Sequence, residues 1–292
     1  ISERDLHHIF TEIITISRDI QQSRRVTYLG PQATFTHLAA MSHFGHFVEY
    51  IPQPSIRDIF KEVERGRSAY GVVPVENTAE GAVNHTLEQF FKSEIKICAE
   101  KYQVVSHDLL SSNPHLSGIK TVFSHPHAFI RCREWLKAHL PHAKLEECSS
   151  TGAAAHRAAL NADCAAIASR ETAAIYSLNV LASKIEDRVG MKARFLVIGK
   201  NIPQPTGNDK TSILFALINT PGALHRVLKP LETARINIIR LETRSAGQSG
   251  LQDLFLVDLT GHIKDPLLQE ATDEMRLLCR YFKFLGSYPQ SV

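Results

Sequence analysis

The pattern that most constrains this chain is a recurring unit: a short apolar run, a turn dense in polar side chains, then a helical pattern. Its fullest instance is Tyr70 to Phe90. Tyr70 to Val75 is near-continuously apolar and predicts a buried strand. Glu76, Asn77 and Thr78 follow, offering a carboxylate, an amide and a hydroxyl in succession. From Ala82 the pattern turns helical, with Val83, Leu87, Phe90 and Phe91 on one side. The unit recurs at Val26 to Leu29 with the turn Gly30 to Thr36, and at Ile119 to Phe123 with Ser124-His125-Pro126-His127. It recurs again at Lys144 to Glu147 with Ser149-Ser150-Thr151-Gly152, and at Cys164 to Ala168 with Ser169. Such repeats predict a parallel α/β sheet with ligand at the carboxyl ends of its strands, where helix N-termini face an anion. Each turn taken alone reads equally well as a simple helix cap.

The 292 residues suffice for two or three domains. A 43% hydrophobic and 22% charged composition is that of a globular protein, and the net charge of +3 without charge runs speaks against nucleic-acid or anionic-membrane binding. No apolar stretch approaches a membrane span. Five scattered cysteines, with no C-x-x-C pair, point to a reducing, cytoplasmic setting.

Residues 1–24 read as one helix, with Ser2 and Asp5 as a capping box and Leu6, Ile9, Ile13, Ile16 and Ile20 as its apolar stripe. Two strand-like runs, Ile95 to Cys98 and Gln103 to Val105, suggest a crossover into a second lobe. Lys184 to Asp187 and Arg194 to Ile198 carry the chain back. Asn201 to Asp209, with two prolines and a glycine, reads as a linker. Beyond it the order strand, helix, strand, strand, helix, strand predicts a ferredoxin-like βαββαβ domain over 208–290.

Seven motifs, in order, carry a family resemblance: GPQATFTHLAA (30–40), VVPVENTAEG (72–81), SHPHAFIRC (124–132), SSTGAAA (149–155), ARFLVIG (193–199), PGALH (221–225) and ETRS (242–245). The chain resembles prephenate dehydratase followed by an ACT regulatory domain. The resemblance implies a two-lobed, periplasmic-binding-protein-like catalytic domain over 25–201. Lobe 1 would hold about 25–100 and 185–201, lobe 2 about 101–184, with the active site between them. It implies prephenate as substrate, L-phenylalanine as inhibiting effector, no cofactor, and a homodimer or homotetramer. Ser17-Arg18-Asp19-Ile20-Gln21 is similar to the last helix of a chorismate mutase domain. The chain is therefore expected to be part of a longer bifunctional protein, and no mutase activity is assigned to it.

Carried onto this sequence, the resemblance makes Asn77, Glu76, Ser124, Arg131 and Arg194 catalytic, with Arg194 serving either binding or lobe geometry. It makes Thr34, Phe35, Thr78, Ser149, Ser150, Thr151, Ala193 and Phe195 substrate-binding. It assigns Gly222, Ala223, Leu224, Glu242, Thr243 and Arg244 to phenylalanine. Two departures matter in the catalytic domain, and the ACT motifs drift as well. The family's T-R-F triplet is Ala193-Arg194-Phe195 here, and losing a donor of this kind can cost about 10²–10³ in rate. Arg131 replaces a common Gln, either donating to an anion or facing solvent. In the ACT domain His225 and Ser245 replace Val and Pro. An inactive prephenate- or phenylalanine-binding variant, arogenate dehydratase and a periplasmic-type binding protein are the competing readings. Fifteen histidines invite a metal, yet His43/His46 and His125/His127 lack the accompanying ligands, and no metal is expected.

Overall fold

The computed structural model describes Leu6, Phe10, Ile13 and residues 25–75, 80–245 and 253–291, with the side chains of 80–84, 244 and 245 excepted. Of the expected N-terminal helix, Leu6, Phe10 and Ile13 are helical and exposed. The rest of it lies outside the described residues, as do Glu76, Asn77 and Thr78.

The first lobe is built on β1 (Arg25–Leu29), α1 (Phe35–Phe44), β2 (Glu49–Gln53), α2 (Ile56–Glu64), β3 (Tyr70–Pro74), α3 (Glu80–Lys92) and β4 (Lys96–Val104). α2 shows why these segments fold as they do. Ser55 caps it by accepting from the Asp58 N–H and donating to the Asp58 carboxylate. Ile56, Ile59, Phe60 and Val63, at helical spacing, are its buried face. β1, β2 and β3 pair in parallel, as the recurring unit requires. β2 was not foreseen: its EYIPQ carries Pro52, which suits an edge strand, and β2 is the edge.

The second lobe holds β5 (Asp108–Ser111), β6 (Thr121–Ser124), α4 (Pro126–Arg131), α5 (Arg133–His139), β7 (Lys144–Glu147), α6 (Thr151–Ala158), β8 (Cys164–Ala168), α7 (Arg170–Tyr176) and β9 (Asn179–Ala182). Its sheet order is β7-β6-β8-β5-β9, with β5 antiparallel to both neighbours. The chain returns through β10 (Lys192–Gly199), which enters the first sheet between β3 and β4, antiparallel to both. Two expectations change here. The runs Ile95 to Cys98 and Gln103 to Val105 are one strand, so residues 101–104 belong to the first sheet. The return path gains a strand that the sequence pattern did not mark, Asn179–Ala182, ahead of Lys184 to Asp187.

The two crossovers between lobes run side by side and are bonded to each other. Val105 N–H donates to Met191 O at 2.8 Å, and Ile185 N–H to His107 O at 2.8 Å. Glu186 accepts from the Ser106 hydroxyl and the His107 N–H at 3.0 and 2.8 Å.

The C-terminal part is β11 (Asp209–Ala216), α8 (Ala223–Thr233), β12 (Ile238–Ser245), β13 (Asp253–Thr260), α9 (Pro266–Leu278) and β14 (Tyr281–Pro289). Its antiparallel order, β12-β13-β11-β14, is ferredoxin-like. It is not merely tethered. Leu214, Leu254, Leu256, Leu285 and Tyr288 share one buried cluster with Ile97, Leu196 and Ile198 of the first lobe. At Gly286 the backbones meet so closely that an added Cβ would stand 2.2 Å from Ile97 O.

Candidate active site

The turns between strands and helices place hydroxyls at two helix starts that face one another across the lobes. Thr34 caps α1: its Oγ1 accepts from His37 N–H and donates to Leu29 O. Ser150 caps α6, accepting from Ala153 N–H at 3.0 Å. Gly152 permits the approach, since a Cβ there would stand 2.3 Å from Gln32 O of the other lobe. The Thr172 hydroxyl donates across the lobes to Ala33 O at 3.3 Å.

The resulting cleft encloses about 200 Å³. Thr34, Thr36, Ser149, Ser150 and Thr151 give it hydroxyls, and Arg131 a cation. Phe35, Pro74, Val105 and Ala128 give it an apolar wall. Hydroxyls and helix N-termini suit carboxylates; the apolar wall suits a ring. Three histidines that sequence reasoning did not select also line it, His107, His125 and His127. Burial, and the charge of Arg131 after it, push the His107 imidazole down to about 4, against a smaller upward pull from Glu186. His125 is lowered by burial and by His127, whose ring stacks on it at 5.3 Å. Its Nδ1 accepts from His127 N–H, so it caps α4 as the S-H-P turn suggests. Among the described residues no three potential metal ligands converge.

Of the residues singled out in the sequence, Thr34, Phe35, Arg131, Ser149, Ser150 and Thr151 meet in this cleft. Ser124 does not reach it: its hydroxyl is fully buried and donates to Ile167 O at 2.8 Å, tying β6 to β8. Ala193 and Phe195 stand behind the wall, fully buried in the cluster that holds Val105 and packs Phe35. Arg194, between them on β10, points to the opposite face of the sheet. There it bonds Glu100 and Tyr288 and pairs with Asp258, away from the residues that line the cleft. In the C-terminal domain Gly222, at φ +77°, precedes Ala223 and Leu224 at the start of α8. Glu242, Thr243 and Arg244 lie on β12 opposite Leu256, Phe255 and Leu254, and Glu242 pairs with Arg240 at 2.8 Å.

Two α/β lobes joined by paired crossovers around a cleft, with a ferredoxin-like domain packed on one of them, define the two-lobed, periplasmic-binding-protein-like class. A family model described as prephenate dehydratase matches residues 26–203, and one described as ACT domain matches 211–275. A bifunctional chorismate mutase/prephenate dehydratase from Aquifex aeolicus is 41% identical over 287 residues, covering 98% of this chain and 79% of that one. The structure of prephenate dehydratase from Arthrobacter aurescens in complex with L-Phe is similar at a TM-score of 0.83 and 33% identity, covering 91% of this chain and 90% of that one. GqqA, described as a novel type of quorum quenching acylase, is similar at a TM-score of 0.79 and 27% identity, over 92% of this chain and 98% of that one. This chain belongs to the prephenate dehydratase family and carries a C-terminal ACT domain.

Proposed function

We propose that this protein converts prephenate to phenylpyruvate and that L-phenylalanine, bound by the ACT domain, restrains it. The observation that carries this is the division of the cleft: hydroxyls, two helix N-termini and Arg131 against an apolar wall. Prephenate divides in the same way, into two carboxylates and a ring. In the reaction the bond from the ring to its carboxylate breaks and carbon dioxide leaves. That electron pair enters the ring, which becomes aromatic. The bond to the ring hydroxyl breaks on the opposite side, and the departing hydroxide takes a proton from solvent to give water. The driving force is in the substrate, so the protein's part is to hold both carboxylates and to hydrogen-bond the departing oxygen.

Thr34, Ser149, Ser150 and Thr151 hold carboxylates, with Arg131 as the cation; Glu76, Asn77 and Thr78, next after β3 in the sequence, are assigned to the same reaction by the family motif alone. Gly222, Ala223, Leu224, Glu242, Thr243 and Arg244 contact the effector, in a homodimer or homotetramer located in the cytoplasm. The test is phenylpyruvate formation from prephenate, with and without phenylalanine and with arogenate as rival substrate. Turnover of prephenate that phenylalanine suppresses supports the reading. Absence of turnover by a folded chain overturns it.

Ala193 favours a second reading, a slow or inactive ligand-binding variant, because a methyl group buried behind the cleft wall offers no hydrogen bond. A large gain in rate for Ala193→Thr identifies that case.

A further inference from the structure

His107 occupies an unusual place. It lies in the first crossover, beyond the end of β4, and its backbone is fixed on both sides: N–H to Glu186, C=O from Ile185 N–H. Its ring lines the cleft and packs against Phe35, with centroids 5.7 Å apart. The residue is 2% exposed, and its Nδ1 is buried without a hydrogen-bond partner among the described residues. A buried polar atom left unpaired is costly in a folded protein, and on a residue that lines a cleft a ligand atom is one means of completing the bond. The Glu186 carboxylate bonds the Ser106 hydroxyl and the His107 N–H and makes no bond to Nδ1.

The positions of the other groups say which ligand atom that is. The hydroxyls and helix starts that suit carboxylates come from α1 and α6, while His107 enters from the crossover beside Val105 and Phe35, with the Arg131 cation near enough to act on its ring. A substrate with its carboxylates at the hydroxyls and its ring on the apolar wall turns its ring hydroxyl toward the crossover. A hydroxyl both donates and accepts, so it satisfies Nδ1 in either tautomer.

We propose that His107 is a catalytic residue of this cleft, bonding through Nδ1 to the ring hydroxyl of the substrate and stabilising it as it leaves. The inference rests on the dehydratase reading above. Burial keeps the imidazole neutral at ordinary pH, so it stabilises the departing oxygen by a hydrogen bond and does not supply the proton, which comes from solvent. A bond that strengthens as charge develops acts on kcat rather than KM.

The experiment compares the unaltered chain with His107→Leu and His107→Asn, measuring prephenate turnover and thermal unfolding for each. Asparagine places an amide where Nδ1 stands, and leucine fills the space with no polar atom. The expected result is a fall in kcat of about 10²–10³ for H107L with KM within a few-fold, and recovery of at least about tenfold of that loss in H107N. Turnover by folded H107L close to that of the unaltered chain overturns the inference and leaves the dehydratase reading intact. So does an H107N protein no better than H107L. An unaltered chain that is folded and inactive toward prephenate overturns both.

Discussion

Arg194 and Asp258 meet as an ion pair at 2.7 Å, each side chain 1% exposed, one from the catalytic sheet and the other from the ACT sheet. Around them Glu100 accepts from Arg194 at 2.9 Å and from Lys210 at 2.9 and 3.0 Å. Tyr288 accepts from Arg194 at 3.0 Å. Two cations thus face two carboxylates in a buried, charge-balanced group that joins the domains. Its neighbours on β10, Ala193 and Phe195, back the cleft wall, so one strand carries the domain junction on one face and supports the cleft on the other.

The first prediction concerns this group. Arg194→Met leaves Asp258 buried without its cation and is expected to destabilise by about 3–5 kcal/mol. Adding Asp258→Leu restores the charge balance, because Lys210 still pairs with Glu100. The double variant is therefore expected to be more stable than the sum of the single losses by at least about 1 kcal/mol. Urea unfolding of the four proteins measures it. Simple additivity would mean that the two residues act independently.

Gly152 sets how closely the lobes approach. Gly152→Ala drives a Cβ onto the Gln32 carbonyl, a backbone atom that cannot swing aside, so the lobes must part. Misplacing binding groups by the order of an ångström can cost about 10²-fold. A fall in kcat/KM of that size is expected, with little change in the unfolding temperature, since each lobe keeps its own core. Wild-type kinetics from this variant would show that the cleft works in a wider state.

Much of this architecture was legible in the sequence because the strand–turn–helix unit writes its periodicity change into the residues. The βαββαβ order of the last 80 or so residues was legible for the same reason. What escaped has identifiable causes. β2 hid behind Pro52, and β4 read as two runs because edge strands carry polar residues on one side. The alternation along β10 sets Arg194 opposite Ala193 and Phe195. Which face meets the cleft depends on the ACT sheet covering the other, a tertiary fact that no local pattern contains. His107 escaped because a polar triplet, Ser106-His107-Asp108, after an apolar run reads as a loop. Only the fold turns its ring into the cleft.

Ser150 carries two roles that separate by measurement. As the cap of α6 its hydroxyl contributes about 1 kcal/mol, so Ser150→Ala is expected to lower stability by that much. As a cleft hydroxyl it also holds a carboxylate, so KM for prephenate is expected to rise in the same variant. Ser150→Asp keeps the cap and sets a negative charge in the cleft. It is expected to recover the stability while raising KM further. A Ser150→Asp protein with an unchanged KM would remove Ser150 from the binding set.

Three imidazoles lowered by burial make stability depend on pH in a range where few other groups titrate. His37, His43 and His107 are each pushed down to about 4, chiefly by burial. His37 Nδ1 accepts the Ala33 N–H at 3.2 Å and its ring stacks on Tyr28, which leaves no room to charge it without loss. In the unfolded chain each takes up a proton near pH 6.5. Between about pH 6.5 and 4 the unfolded state therefore binds more protons than the folded one. The stability these groups confer is present above that range and is lost as the pH falls through it. Thermal unfolding followed from pH 8 to 4 is expected to show a steep decline below about 6.5. His37→Asn keeps an acceptor for Ala33 N–H without a titrating ring, so its curve starts lower at pH 8 and declines less. The two curves converge as the pH approaches 4. Parallel curves would place the acid sensitivity in other groups and leave His37 with packing alone.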